Sequence, residues 1–146
     1  MYQKILVPLD GSVRAEKILP HVEEMALKYG SKVFLLQVVE PIVTVSSVDI
    51  YVPISEPFTA KLEQAQAYLN NIRQRLQEKQ IEVDSRVVSN RIVDAICETA
   101  ESEKADLIAM ASHGRTGAAR VFYGSVAAGV LHCIDRPLLI IRSQEN

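Results

Sequence analysis

The chain has 146 residues, which corresponds to a single domain covering 1–146. Hydrophobic residues make up 48% and charged residues 23%, so the chain can bury a core without disulfides or metals, and intrinsic disorder is excluded. The 16 basic and 18 acidic residues give a formal net charge of −2. Because the basic residues are also scattered, we expect no nucleic-acid partner.

Cysteine usage and the first apolar run bear on the compartment. Cys97 and Cys133 each fall within an apolar helical pattern, which is typical of a reducing compartment rather than of a disulfide framework. The apolar run that ends at Pro8 is shorter than the hydrophobic region of a signal peptide, and no stretch approaches a membrane span. We therefore expect a cytoplasmic protein with no membrane partner.

Apolar runs of strand length recur along the chain, and helical periodicities lie between them. The predicted strands are Ile5–Val7, Val33–Val39, Val83–Val88, Leu107–Ala111 and Leu138–Ile141. Unbroken apolar strands have no solvated side, so strict alternation with helices indicates a parallel sheet covered on both faces. The sequence predicts a doubly wound α/β domain.

Three segments depart from this regular pattern. Residues 81–87 alternate apolar and polar side chains, which predicts that the third strand is an edge. The fifth strand reads as fully buried although no helical pattern follows it, so we expect a second chain to cover it. The connection Glu40–Glu56 is unusually long, and such connections are commonly functional.

The candidate site lies beyond the carboxyl ends of the first and fourth strands, where open parallel sheets bind ligands. The first strand runs into Pro8, Leu9 and Asp10, and the fourth runs through Ala111 into His113. If these strands are neighbours, both segments flank one crevice. The sequence offers no paired carboxylates there and no histidine partner at metal-ligand spacing, so we predict no catalytic pair and no metal site.

Glycines follow the fourth strand and open the last predicted helix. Gly114 and Gly117 allow backbone N–H groups to approach an anion closely. Gly124 and Ser125 stand at a helix N-terminus, which favours negative charge. The combination predicts a phosphate site, and the alternative is a glycine-containing turn followed by a capped helix.

The stretch from Ala111 to Ser125 resembles the ATP-binding signature of the universal stress protein family, G-x2-G-x9-G-[S/T]. Gly114 matches the second glycine and Gly124 with Ser125 matches the closing pair, whereas Ala111 stands where the family has its first glycine. The opening KILVPLDGS, the segment SHGRTG and the final RPLLIIR are also similar to their family counterparts. The resemblance covers nearly the whole chain.

The resemblance implies a strand order of 3-2-1-4-5 and ATP, with or without Mg²⁺ or Mn²⁺, across strands one and four. Asp10 would contact the adenosine part, and the backbone of Val38 would meet the adenine. Ribose and phosphates would be held by Gly114, Arg115, Gly124, Ser125 and Val126. Two alternatives stay open: Asp10 as an ordinary turn residue, and His113 as a solvent-exposed loop residue rather than a phosphate contact.

The absence of a P-loop and of a nucleophile elbow argues against fast catalysis. We expect a stress-response protein that binds ATP as a ligand, hydrolyses it slowly at most, and acts on an unknown protein partner. The resemblance also implies a homodimer through Leu138, Leu139, Ile140 and Ile141. The alternative is a dimeric adaptor without nucleotide; a related adenine-nucleotide hydrolase or ligase ranks last, because its SGG-type loop is replaced by 9–12, LDGS.

Overall fold

The computed structural model describes residues 1–41, 57–112 and 124–143. Within these ranges, five strands alternate with four α-helices, and a 3-10 turn at Ala15–Ile18 precedes the first helix. The strands are β1 (Lys4–Leu9), β2 (Lys32–Val38), β3 (Val83–Val88), β4 (Leu107–Ala111) and β5 (Leu138–Ile141). The helices are α1 (Leu19–Tyr29), α2 (Phe58–Glu78), α3 (Ile92–Ser102) and α4 (Gly124–Cys133).

The strands form one parallel sheet in the order β3-β2-β1-β4-β5. This confirms the doubly wound fold and the strand order that the sequence and its resemblance predict. It also confirms that β3 is an edge, since its exposed Asp84 and Arg86 alternate with less exposed residues. The order places β1 beside β4, so both predicted site segments reach the same region of the sheet.

Helices cover both faces of the sheet, which explains why the central strands are mainly apolar. On one face, α1 and α2 bury Leu19, Val22, Ala26, Leu69, Ile72 and Leu76 against the odd-numbered residues of β1 and β2. On the other face, α3 and α4 bury Ile96, Ala100, Ala127 and Val130 against Leu6, Phe34 and Leu36. Each layer removes apolar area from water, at about 25 cal/mol per Å².

The other edge strand is β5. Its residues are half-buried in the single chain, because β4 is its only neighbour among the described strands. The expectation that a second chain covers β5 stays a prediction. None of the helices in the described ranges is long and apolar enough to cross a membrane.

Two further predictions concern the long connection after β2 and the two cysteines. Most of the connection Glu40–Glu56 lies outside the described residues. Cys97 of α3 and Cys133 of α4 are joined by a disulfide, so the expectation that the cysteines serve no disulfide is wrong. The reason is tertiary, because α3 and α4 pack side by side on one face of the sheet and bring two apolar helix positions together.

Candidate functional site

The carboxyl edge of the sheet gathers the described part of the predicted site. Pro8 and Leu9 end β1, Val38 ends β2 and Ala111 ends β4. Because β4 and β5 run parallel, the intervening helix α4 must run back and therefore starts at this same edge. The topology thus brings the ends of three strands and the N-terminus of α4 to one side of the molecule.

Asp10 organises the turn that leaves β1. Its Oδ1 accepts a hydrogen bond from the Ser12 backbone N–H at 2.9 Å and another from Ser12 Oγ at 2.5 Å. Ser12 Oγ in turn accepts from the Ala15 N–H at 3.1 Å, while Gly11 adopts a left-handed φ of 84°. The structure therefore shows the turn role that was the alternative for Asp10, and its contact with a nucleotide stays a prediction.

Gly124 begins α4 in a conformation that suits glycine. Its φ is 68°, in the left-handed region that side chains with a Cβ adopt at a cost. Ser125 follows in the first turn and is exposed, and Val126 is half-buried beside the α3 and α4 face of the core. The first turn of α4 can therefore present N–H groups and a hydroxyl to an anion.

Three residues of the predicted site lie outside the described part of the chain: His113, Gly114 and Arg115. Gly117, the second glycine of the predicted turn, is also outside it. Their contacts with a nucleotide remain predictions from the sequence and its resemblance.

The carbonyl of Val38 is directed towards β1. Backbone groups alternate along β2: the Lys32 N–H donates to Gln3 of the β1 side, whereas the Val33 and Val39 N–H groups donate to the β3 side. Val38 consequently directs its carbonyl towards β1. The β1 ladder stops one pair earlier, at Leu9 with Gln37, so this acceptor lies beyond the last paired residue of β1.

Ala111 directs its methyl group away from α4. Leu107 and Ala109 of the same strand belong to the core on the α1 and α2 face, and strand residues two apart share a face. Ala111, which is 8% exposed, therefore points to that face and not towards the first turn of α4. The departure from the family glycine places no side chain in the direction of Gly124.

Two buried polar atoms at this edge were missed by the sequence reasoning. Gln37 Oε1 and Ser112 Oγ are buried and have no hydrogen-bond partner among the described residues. Ser112 is 5% exposed and follows Ala111, and the Gln37 amide lies 3.9 Å from the position of a Cβ on Gly11. The signal for Gln37 was its polar side chain within the apolar run Val33–Val39.

Beneath the same edge, Tyr68 of α2 lies in an acidic environment. Burial, followed by the neighbouring Glu16 and Asp10 carboxylates, raises the pKa of the Tyr68 phenol above its usual value. The phenol is thus neutral at physiological pH and can act as a hydrogen-bond donor. Within the described ranges, no cluster of His, Cys, Asp or Glu could hold a metal ion.

The whole-chain comparison decides the family. The sequence model of the Universal stress protein family matches residues 1–142. The chain belongs to the universal stress protein family. The signature read between Ala111 and Ser125 is therefore part of a match that also includes the strands and helices around it.

Individual relatives agree with this assignment. This universal stress protein is 29% identical to Universal stress protein MJ0531 of Methanocaldococcus jannaschii, over 100% of this chain and 85% of that protein. The solved structure of hypothetical protein MJ0577 from the same organism has a TM-score of 0.80 and 26% identity, covering 100% of this chain and 99% of that one.

A third comparison supports the fold alone. A universal stress protein solved in complex with cAMP has a TM-score of 0.73 and 22% identity, covering 98% of each chain.

Proposed function

We propose that this universal stress protein is a cytoplasmic stress-response protein that binds ATP at the carboxyl edge of its sheet. The observation that carries the proposal is the left-handed Gly124 at the start of α4, on the same edge as the end of β1. ATP acts as a ligand that changes how the surrounding loops are held. It is hydrolysed slowly at most.

The proposed contacts with the ATP phosphates come from the first turn of α4. Its first turn carries backbone N–H groups that have no partner inside the helix, and the helix dipole adds partial positive charge there. The exposed Ser125 adds a hydroxyl donor next to Gly124. We place any Mg²⁺ or Mn²⁺ on the phosphates, because the described residues offer no carboxylate cluster of their own.

The proposed recognition of the adenine base depends on hydrogen-bond acceptors of the protein. The carbonyl of Val38 and the buried Gln37 Oε1 are both able to accept a hydrogen bond and belong to the β2 residues next to the end of β1. The exocyclic amino group of adenine is a donor, whereas guanine presents an oxygen at the equivalent position. An acceptor lining therefore favours adenine over guanine.

The slow turnover follows from what surrounds Asp10. Phosphoryl transfer requires a group that positions the nucleophile and charges that stabilise the transition state. Asp10 Oδ1 already accepts two hydrogen bonds from Ser12, so this oxygen is committed to the turn. The bound cAMP belongs to the solved neighbour of 22% identity. The nucleotide proposed for this chain is inferred from the residues of this chain.

Calorimetry with ATP and GTP tests the proposal. We expect ATP to bind and GTP to bind at least about tenfold more weakly, because guanine would leave the Val38 acceptor unpaired. Equal affinities would refute the acceptor-based base site. Failure of both nucleotides, together with no nucleotide released from the denatured native protein, would instead support a dimeric adaptor that works without nucleotide.

Ala111→Gly tests whether the departure from the family glycine matters. Since the methyl group points away from α4, we expect ATP affinity to change by less than about twofold. The fold should lose about 0.5–1 kcal/mol, because glycine in a strand has more freedom to lose on folding. Calorimetry and thermal unfolding measure the two effects, and a large gain in affinity would show that the methyl group obstructs the site.

We also propose that two copies pair along β5. The Ile108 N–H donates to Pro137 and the Ser112 N–H donates to Ile141, so the odd-numbered residues of this edge bond to β4. By alternation, Leu138 and Ile140 direct their backbone groups outward. These outward groups and the half-buried side chains form a surface that a second β5 can cover.

A further inference from the structure

The disulfide between Cys97 and Cys133 links two helices outside the carboxyl edge. The two Cα atoms are 6.4 Å apart and the residues are separated by 36 positions. This Cα distance lies within the range that disulfides span. Cys133 is exposed at the end of α4 and Cys97 is half-buried on α3, so solvent and small molecules can reach the pair.

The fold does not require this bond as a permanent staple. Both faces of the sheet carry a continuous buried core, and a chain of 146 residues buries enough surface to fold without cross-links. Single disulfides in chains of this kind are usually transient when the compartment is reducing. A bond that is accessible and dispensable for folding is suited to reversible formation.

The cleft beside the pair has a defined charge. It has a volume of about 540 Å³, and its lining includes Cys97, Cys133, Glu98, Glu101, Asp135 and Arg136. The carboxylates of Glu98, Glu101 and Asp135 outnumber the guanidinium of Arg136. The cleft is therefore acidic.

The one cation among these lining residues is already engaged. Arg136 Nη2 donates to Glu101 at 2.5 Å and to Asp135 at 2.9 Å, and Nη1 donates to the carbonyls of Ala100 and Ala105. The guanidinium is thus held by hydrogen bonds at the end of α3 and cannot neutralise an incoming anion without breaking these bonds. Anionic reagents should be disfavoured here, and uncharged or cationic ones accepted.

We propose that Cys97 and Cys133 are a reversible thiol–disulfide site that reacts with small uncharged or cationic disulfides, and that oxidation fastens α4 to α3. The exposed Cys133 thiolate attacks one sulfur of the small disulfide, which releases one thiolate. Cys97 then attacks the Cys133 sulfur of the mixed disulfide and releases the second. The two leaving thiolates take up the two protons from the cysteines, so one protein disulfide and two small thiols result.

Oxidation affects ATP binding because α4 carries both Cys133 and the proposed phosphate contacts. This inference rests on the proposed function. A Cβ on Gly129 of α4 would lie 2.7 Å from Val93 Cγ2 of α3, so the helices approach closely near the disulfide. The helix that the disulfide fixes at Cys133 begins with Gly124 and Ser125. Holding it in place reduces the ordering needed for binding, and oxidised protein should bind ATP about threefold to tenfold more tightly.

The first experiment follows the chemistry without nucleotide. Reduced protein is mixed with cystamine, hydroxyethyl disulfide or oxidised glutathione, and the Cys97–Cys133 cross-link is measured by peptide mass mapping. We expect cystamine to react fastest and the anionic glutathione at least about tenfold more slowly at low salt. Glu98→Gln should raise the rate with glutathione, and Cys97→Ser should stop at a mixed disulfide on Cys133.

The second experiment measures ATP affinity by calorimetry on oxidised and reduced protein, with the double variant Cys97→Ser, Cys133→Ser as the control that can form neither the cross-link nor a mixed disulfide. No cross-link between the two cysteines, or equal rates for all three disulfides, would overturn the thiol–disulfide site. Equal ATP affinity in both states would overturn the coupling to α4. Absence of ATP binding in both states would refute the proposed function while leaving the cross-linking result valid.

Discussion

Gly124→Val should lower ATP affinity by at least about 100-fold while the protein still folds. Valine is branched at Cβ and adopts the left-handed region very poorly, so the first turn of α4 must rearrange around a φ that is now 68°. Rearrangement withdraws N–H groups from the charged phosphates, and each hydrogen bond to a charged group contributes about 1.5–3 kcal/mol. Calorimetry on the folded variant measures the loss.

Gly30→Val is the matched control for that substitution. Gly30 ends α1 with a φ of 66°, and a Cβ there would meet no atom within 4 Å. The position precedes β2 and so lies at the amino edge, opposite the candidate site. Both variants should unfold about 3–8 °C below the parent, since each carries similar backbone strain. Only Gly124→Val should lose ATP, and unchanged ATP affinity in that variant would remove α4 from the site.

The sheet was predictable because its signals are local. Residues 81–87 alternate in polarity, which marks β3 as an edge, and the apolar runs of β1, β2 and β4 mark strands buried on both sides. The order of the strands is a different kind of information. The strand order was predicted from the resemblance to a family, because apolar runs do not indicate which strands are neighbours.

The parts that sequence reasoning missed depend on tertiary placement. A glutamine in an apolar strand gives no indication of whether its oxygen finds a partner, and Gln37 Oε1 finds none among the described residues. Cys97 and Cys133 are separated by 36 positions on different helices, so their pairing depends on how α3 and α4 pack. Asp10 was assigned to the nucleotide from the resemblance, whereas its bonds to Ser12 appear only in the folded turn.

The proposed dimer depends on the outer edge of β5. An exposed strand edge with apolar side chains and unpaired backbone groups promotes association unless something covers it. A two-fold axis would place two β5 strands antiparallel and satisfy the outward groups of Leu138 and Ile140 in a self-complementary contact. Leu138 and Ile140 also pack against the α3 and α4 core, so their side chains serve the monomer as well.

Ile140→Lys should convert a dimeric parent to monomer or drive it to aggregate, because a charge would be placed at the centre of the pairing edge. Ile140→Pro separates pairing from core packing, since it removes an outward N–H that bonds to no β4 residue and keeps an apolar side chain. Leu131→Lys, at a leucine that is 56% exposed on α4, is the control and should leave the mass unchanged. Light scattering at micromolar concentration should give twice the chain mass for the parent and for Leu131→Lys, and a single-chain mass for Ile140→Pro. A monomeric parent, or a dimer that survives both Ile140 substitutions, would show that β5 is not the interface.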